Sequence, residues 1–132
     1  MAVVLDTDIV SYLYKEDSRA QLYRPHLSNM PYVISFMTLA ELRLWALGRN
    51  WGVDRLAELE EYLSTFLIVL ADDDLCRIWA DAMNSARQNG KPISASDARV
   101  ASAALFLDVP LISHNRKHFL GVDGLTLISE AG

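Results

Sequence analysis

Short apolar runs alternate with longer amphipathic stretches along this chain, and this alternation limits the folds that it can adopt. The apolar runs span 2–5, 32–35, 67–70, 110–113 and 125–128. Their length and composition are typical of buried β-strands. Because helical stretches separate them, each connection can return the chain to the same edge of a sheet, which favours parallel strands covered on both faces.

Apolar residues with helical spacing predict the connecting helices. Four longer helices are expected at 38–48, 53–66, 75–88 and 96–108, and two shorter helical segments at 8–14 and 18–27. A chain of 132 residues has the length of one domain. We therefore expect a single three-layer α/β/α domain over 1–132, with a mostly parallel central sheet of about five strands.

The first predicted strand ends directly at two acidic residues, Asp6 and Asp8. Carboxylates at the rim of a sheet provide the hard oxygen ligands that a divalent cation prefers. In a parallel sheet, helices begin at the edge where strands end, so acids near the starts of later helices would lie at the same edge. The sequence therefore directs attention to acids at predicted helix starts.

Two segments place an acid at such a start. Thr38 and Ser94 each precede an acid by three positions, the pattern of a hydroxyl cap, and these acids are Glu41 and Asp97. Together with Asp6, they are expected at one edge of the sheet. Each could instead be no more than a helix-capping residue, but three acids in one topological position favour a site.

The segment after the fourth predicted strand adds polar and basic side chains. Asn115 follows the run at 110–113 and is expected at the same edge, where its carbonyl oxygen can contact a metal ion or a metal-bound water. His114, Arg116 and Lys117 are its neighbours in sequence and would form a cationic rim suited to phosphate groups. The alternative for this basic segment is a solvated turn.

Four motifs together resemble one known family. They are Val-Val-Leu-Asp6-Thr-Asp8-Ile-Val, Thr38-Leu-Ala-Glu41-Leu, Ile93-Ser-Ala-Ser-Asp97-Ala and Leu111-Ile-Ser-His-Asn115-Arg-Lys-His-Phe119. In this order, and over essentially the whole chain, they resemble the PIN-domain ribonucleases, and more closely the VapC-type toxins of prokaryotic toxin-antitoxin pairs. One position departs from the pattern, because Asn115 stands where many PIN domains carry a fourth aspartate.

The resemblance implies a metal-dependent endoribonuclease that hydrolyses phosphodiester bonds in tRNA, rRNA or other RNA. Asp6, Glu41 and Asp97 would hold Mg²⁺ or Mn²⁺, and Asn115 would complete the catalytic set. Because Asn115 adds no charge, the number of metal ions, one or two, stays open. Converging carboxylates repel one another, so a cation at this edge would relieve the repulsion, and it would also activate a water for attack on phosphorus.

The resemblance also implies partners. His114, Arg116 and Lys117 would contact the RNA substrate, and the chain would bind a cognate antitoxin protein and form a homodimer. Two apolar stripes on the helices at 38–48 and 53–66 would leave a groove for an antitoxin helix, unless they are wholly internal. These stripes consist of Leu39, Leu42 and Trp45, and of Leu56, Leu59 and Leu63.

Two other functions remain open from the sequence. The segment Asp6-Thr-Asp8-Ile-Val also resembles the Asp-x-Asp motif of haloacid-dehalogenase-like phosphatases, in which the first aspartate attacks phosphorus. Asp72 and Asp73 would then supply a later acid pair, although they are more simply explained as the cap of the helix at 75–88. The second alternative is a non-catalytic interaction module.

Composition limits the binding partners and the cellular compartment that we expect. A formal net charge of −5 argues against broad nonspecific binding to nucleic acid. One cysteine, Cys76, cannot support a disulfide scaffold, which favours a reducing cytoplasm, and the helical pattern around Cys76 predicts a buried thiol. We expect no signal peptide and no membrane span, because no apolar stretch has the length of either.

Overall fold

The computed structural model of the protein describes residues 1–131. Its strands form one sheet of five, in the order β3-β2-β1-β4-β5, and every pairing is parallel. The strands are β1 Val3–Leu5, β2 Tyr32–Ser35, β3 Leu67–Val69, β4 Leu111–Ile112 and β5 Leu127–Ile128. β1 lies in the centre, with Val4 opposite Val33 on one side and Leu111 on the other. The predicted parallel sheet is confirmed.

Six α-helices connect or follow the strands within residues 1–131. They are α1 Thr7–Lys15, α2 Ala20–Tyr23, α3 Phe36–Gly48, α4 Val53–Leu63, α5 Asp73–Gln88 and α6 Ala95–Leu107. The short helical segment predicted at 18–27 is present over 20–26, where α2 continues into a 3₁₀ turn at Arg24–His26. Pro25 lies in that turn and has no N–H to continue a helical ladder.

The helices cover the sheet on both faces and create two cores. On one face, the side chains of α1, α3 and α4 bury Leu5 and Ile34, both fully inaccessible to solvent. On the other face, α5 and α6 pack over Val4 and Leu111. α6 lies close against the sheet because, apart from Val100, its buried positions are small: Ala98, Ala101, Ser102, Ala103 and Ala104. The result is the expected three-layer α/β/α arrangement.

The helix caps agree with the sequence at two of three positions. Ser94 caps α6 and accepts a hydrogen bond from the Asp97 N–H, as predicted. Asp72 caps α5 by accepting from the Leu75 N–H. The cap predicted at Thr38 is wrong, because Ser35 caps α3 one turn earlier and accepts from the Thr38 N–H.

Two further expectations concern the surface. Of the two apolar stripes, Leu42, Leu59 and Leu63 are buried, and Leu39, Trp45 and Leu56 are half-buried against the core on that face, so the internal alternative describes them better than a groove between α3 and α4. Cys76 is exposed rather than buried, since it lies on the outward side of α5. Within residues 1–131, no helix has both the length and the apolar content needed to cross a membrane.

Candidate functional site

Asp6 lies at the point where the central strand ends and the first helix begins. It is the N-cap of α1, and its Oδ1 accepts a hydrogen bond of 2.8 Å from the Thr7 N–H. Its Oδ2 accepts from the Ser113 hydroxyl at 2.7 Å, directly after β4. Only 5% of Asp6 is exposed. The fold thus holds one buried carboxylate at the carboxyl edge of the sheet, with donors from two neighbouring strands.

Asp8 is the second acid of this edge. Its Oδ1 accepts from the Ile9 N–H at 2.7 Å, and its Oδ2 accepts from the His114 N–H at 3.0 Å. An acid in the first turn also complements the positive end of the helix dipole. Asp8 therefore ties the start of α1 to the segment that follows β4.

Glu41 reaches the same edge through a threonine. Its Oε1 accepts a hydrogen bond of 2.8 Å from the Thr7 hydroxyl, and Thr7 Oγ1 lies 3.0 Å from the buried Thr38 Oγ1. Thr7 stands between the two acids of α1, so this contact joins the start of α1 to α3. Glu41 is consequently one hydrogen-bonded side chain away from Asp6.

Asp97 comes from the opposite helical layer. It lies in the first turn of α6, and its Oδ2 is 3.1 Å from His118 Nδ1. His118 belongs to the 3₁₀ turn Arg116–His118. A histidine from this turn therefore positions the Asp97 carboxylate, while the Asp97 backbone is fixed by the helix cap.

The charges of Asp8 and Asp97 act on the Asp6 carboxylate. Burial, the negative charge of Asp8 and, to a smaller extent, that of Asp97 together raise the pKa of Asp6 to about 7, against the lowering effect of the Ser113 and Thr7 hydrogen bonds. Burial also raises the pKa of Asp8, and the charge of Asp97 contributes. The neighbouring negative charges thus make the ionised forms of Asp6 and Asp8 less favourable, which is the condition that a bound cation relieves.

The acids do not form a closed cage. Within residues 1–131, no three His, Cys, Asp or Glu side chains lie close enough together to surround one metal ion. The structure brings Asp6, Asp8 and Asp97 into mutual electrostatic contact and places Glu41 behind Thr7. This is an open arrangement of carboxylates, in which water or a ligand would have to supply most of the coordination of a cation.

The three side chains of the predicted basic rim differ in exposure and in their contacts. Lys117 and Arg116 are exposed, but Arg116 Nη2 donates to the Ser129 carbonyl at 2.7 Å. His114 is half-buried, packs edge-on against the rings of Tyr12 and Tyr23, and bonds through Nδ1 to the Tyr23 hydroxyl. Lys117 is therefore the least constrained of the three side chains.

Asn115 lies at the start of the 3₁₀ turn that carries this rim. Its backbone N–H donates to the Ser113 hydroxyl at 3.0 Å, and its side chain is exposed. Asn115 thus lies beside Ser113, the residue whose hydroxyl donates to Asp6.

Sequence reasoning missed two polar side chains of the site, Thr7 and Ser113. Both are small hydroxyl residues at strand ends, and both hold a carboxylate of the proposed acid set. Their positions in the sequence could have indicated this role, because Thr7 lies between Asp6 and Asp8 and Ser113 precedes the basic segment.

Residues 3–125 match the PIN domain, and the chain belongs to the PIN-domain family. Ribonuclease VapC1 of Haemophilus influenzae (strain R2866) is 30% identical to it over 127 residues, which are 95% of each chain. The structure of VapBC-1 from nontypeable Haemophilus influenzae superimposes with a TM-score of 0.80, at 29% identity over 98% of both chains. VapBC-5 from Mycobacterium tuberculosis, a member of the VapBC family of toxin-antitoxin systems, gives a TM-score of 0.71 at 27% identity, over 97% of this chain and 98% of that one.

Proposed function

We propose that this chain is a divalent-metal-dependent endoribonuclease that acts as the toxin of a type II toxin-antitoxin pair. The observation that carries the proposal is the Asp6 carboxylate, buried at the end of the central strand of a PIN domain and close enough to Asp8 and Asp97 for their charges to act on it. The similarity to ribonuclease VapC1 over 95% of the chain supports the same conclusion. The substrate class is RNA, and the bond that is cleaved is a phosphodiester.

The donor set fits Mg²⁺ or Mn²⁺. Magnesium keeps several water ligands and commonly uses one or two carboxylates, so it does not require the closed cage that the structure lacks. Asp6 and Asp97 would be the ligands, directly or through water, and Glu41 would bind the ion or position the attacking water. Such an ion lowers the pKa of a bound water and stabilises the leaving oxygen.

The chain's own residues prepare this edge. Ser113 and the Thr7 backbone hold Asp6, the Thr7 hydroxyl holds Glu41, and His118 holds Asp97. Since every carboxylate already has a fixed donor, little side-chain motion is needed when a phosphate arrives. Asp8 and Asn115 would act around these ligands, Asp8 by fixing the segment after β4.

The basic segment would bind the RNA backbone beside the acids. Arg116, Lys117 and His114 are proposed for this role, with Lys117 the most accessible. Phosphate contacts of this kind position a nucleic acid without reading its sequence. A net charge of −5 makes such local cations necessary, because the protein as a whole repels RNA.

The test is cleavage of RNA by purified protein with and without metal. We expect activity with Mg²⁺ or Mn²⁺ and none in EDTA. Asp6→Asn and Asp97→Asn should each lower the cleavage rate by about a hundredfold or more, because each removes charge directed at the metal. Asp81→Asn on the exposed side of α5 is the matched control and should cleave normally. Normal cleavage by the Asp6→Asn protein would refute the proposed mechanism.

The toxin role concerns a partner protein. VapBC-5 is a member of a family of toxin-antitoxin systems. We propose that this chain likewise binds a cognate antitoxin. Expression of the chain alone should arrest growth of its native host, and co-expression of the product of a neighbouring small reading frame should restore it. Harmless expression of protein that cleaves RNA in vitro would reject the toxin role and leave a nuclease. Both the ribonuclease and the antitoxin roles place the chain in the cytoplasm.

We also propose a homodimer. Large apolar side chains are exposed on α3 and on the edge strand β3 and its end, two elements that contact each other: Leu44 (69% exposed), Leu47 (70%), Leu67 (60%) and Leu70 (71%). Apolar surface of this kind is typical of a protein interface. Light scattering should give a dimer, and Leu44→Glu with Leu47→Glu should give a monomer, whereas Leu120→Glu should not. A wild-type monomer at high concentration would reject the dimer.

The two alternatives have less support. A phosphatase with Asp6 as nucleophile needs a lysine beside it, but Lys15, Lys91 and Lys117 are all exposed, and Asp6 forms no ion pair within residues 1–131. Asp72 is occupied as a helix cap. Failure to trap a phospho-aspartate at Asp6 is therefore expected. A non-catalytic module would not bind Mn²⁺, so a metal titration by calorimetry separates that alternative from the nuclease.

A further inference from the structure

A second polar site lies at the far end of the helices that carry the acids. It is a recess of about 970 Å³ between the C-terminal ends of α1 and α3 and the start of α4. We call it the basic recess, and its walls include three aromatic and three cationic side chains. These residues are Tyr14, Trp45, Trp51, Lys15, Arg49 and Arg55.

The cations of the basic recess lie over the tryptophan rings. Lys15 Nζ is 4.7 Å from the centre of the Trp45 ring, and the Arg49 guanidinium carbon is 5.6 Å from a ring centre of the same residue. The Arg55 guanidinium carbon is 4.2 Å from the Trp51 ring. The two tryptophans meet edge to face at 5.0 Å. Cation–π contacts therefore hold the charges in place and leave their outer sides to solvent.

These three cations have no acidic partner within 4.0 Å in the described chain, residues 1–131. By contrast, the neighbouring Arg43 is held by Glu60 at 2.8 Å. Glu58 lines the recess but forms no ion pair with them. In a protein with a net charge of −5, the basic recess is thus a local positive site whose charge is not neutralised.

The basic recess lies along the same pair of helices as the proposed catalytic edge, at their opposite end. Glu41 and Trp45 on α3 and Arg49 at its C-cap are spaced by four residues and lie in one line. From Glu41 to Arg49 the helix rises about 12 Å, at 1.5 Å per residue. On α1, Thr7 contacts Glu41, and Tyr14 contacts Trp45 with ring centres 6.4 Å apart. One extended ligand can therefore touch both the acids and the basic recess.

We propose that the basic recess binds a single-stranded segment of the RNA substrate a few nucleotides from the bond that is cleaved, with Lys15, Arg49 and Arg55 on phosphates and Trp51 against a base. The inference rests on the proposed ribonuclease function and deepens it. Aromatic side chains beside cations are the usual means of holding single strands, because every base has a stacking face and every nucleotide a phosphate. The alignment of the recess with the acids along α1 and α3 favours RNA over an acidic protein segment, since an RNA bound for cleavage must reach the acids in any case.

The main experiment compares two triple variants of equal charge change. Lys15→Gln/Arg49→Gln/Arg55→Gln removes the cations of the recess, and Arg77→Gln/Arg87→Gln/Lys91→Gln removes three exposed cations around α5, on the other face of the sheet. Binding of a labelled RNA of about 12 nucleotides is measured in EDTA at several salt concentrations. The recess variant should bind at least about tenfold more weakly, and its salt slope should fall by about two, because each lost phosphate contact contributes about 0.7.

A second measurement uses length. With Mn²⁺, the recess variant should cleave a trinucleotide as fast as the wild type, because a trinucleotide held at the acids is too short to fill the recess as well. Its kcat/KM on the longer RNA should fall at least about tenfold through KM. The control variant should match the wild type on both substrates. A loss of activity on the trinucleotide as large as on the longer RNA would overturn the proposal, since it would indicate damage at the acid edge.

A third measurement needs no change of charge. RNA should quench the tryptophan fluorescence of the wild type and of Trp79→Phe, whose lost ring lies on α5, and the quenching should be reduced in Trp51→Phe. Equal quenching in Trp51→Phe and Trp79→Phe would overturn the proposal. So would a recess variant that binds RNA normally but no longer binds the antitoxin, because the recess would then serve a protein. If the wild type neither binds nor cleaves any RNA, the ribonuclease function itself fails.

Discussion

Replacement of Asp6 by asparagine should remove the part of the pH dependence of stability that this buried carboxylate causes in the metal-free protein. The buried carboxylate has a pKa of about 7 in the folded chain, against 3.8 as its ordinary value. The folded state therefore holds this proton more tightly than the unfolded state does. The free energy of unfolding is highest below about pH 4, falls as the pH rises from there to about 7, and is constant above that range as far as this group is concerned.

The magnitude follows from the size of the shift. Each pKa unit corresponds to about 1.4 kcal/mol, so the ionised carboxylate lowers the free energy of unfolding by up to about 4 kcal/mol at pH 8. Asparagine keeps an oxygen for the Thr7 N–H and offers an amide N–H to the Ser113 oxygen. At pH 8 in EDTA, Asp6→Asn should therefore melt higher than the wild type by on the order of 10 °C. The two proteins should converge near pH 4.

The assay is thermal unfolding in EDTA from pH 4 to pH 8, with Asp81→Asn as the exposed control. Addition of Mg²⁺ or Mn²⁺ at pH 8 should stabilise the wild type and leave Asp6→Asn nearly unchanged, because a ligand stabilises only the state that binds it. The reasoning would be refuted if Asp6→Asn lost stability between pH 4 and pH 8 as steeply as the wild type.

Three further substitutions test neighbouring contacts. Alanine at Arg116 and Lys117 should weaken RNA binding and lower its salt slope by up to about 1.4, with no change in Mn²⁺ affinity by calorimetry; an unchanged slope would place the RNA elsewhere. Thr7→Val removes the donor to Glu41 and should lower kcat/KM about tenfold, the equivalent of one hydrogen bond, while a normal rate would show that Glu41 needs no positioning. Tyr23→Phe removes the hydroxyl that accepts from the Glu130 N–H and bonds to His114 Nδ1, and it should lower the free energy of unfolding by about 1 to 3 kcal/mol. RNA binding should weaken as well, because His114 is a proposed RNA contact, and unchanged binding would show that Tyr23 does not position it.

The sequence predicts the layers of this fold well because each strand is a short apolar run and amphipathic helical stretches separate the runs. The sheet and its parallel direction follow from that pattern, and so do the positions of Asp6 at a strand end and of Asp97 in the first turn of α6. The residue that caps a helix is harder to predict where two hydroxyl residues lie close together, as Ser35 and Thr38 do before α3. Ser35 caps α3 rather than Thr38, so Glu41 lies in the second turn of the helix.

The apolar stripes of α3 and α4 show a different limit. Periodicity identifies an apolar face but does not say what covers it. Here both stripes belong to the core on one face of the sheet, with Leu42 and Leu59 both at most 3% exposed. The polar partners of the acids were also beyond the sequence, because Ser113 and Asp6 are 107 positions apart and only the pairing of β1 with β4 brings them together.

That separation has a consequence for the timing of synthesis. The central strand β1 is the first to be made, yet one of its two neighbours, β4, is among the last parts of the described chain to leave the ribosome. A nascent chain that ends before residue 111 can pair β1 with β2 but leaves the β4 side of β1 open and Asp6 without the Ser113 hydroxyl. An enzyme of this construction completes its acid edge only late in translation, so an unfinished chain carries the acids without the geometry that would make them act together.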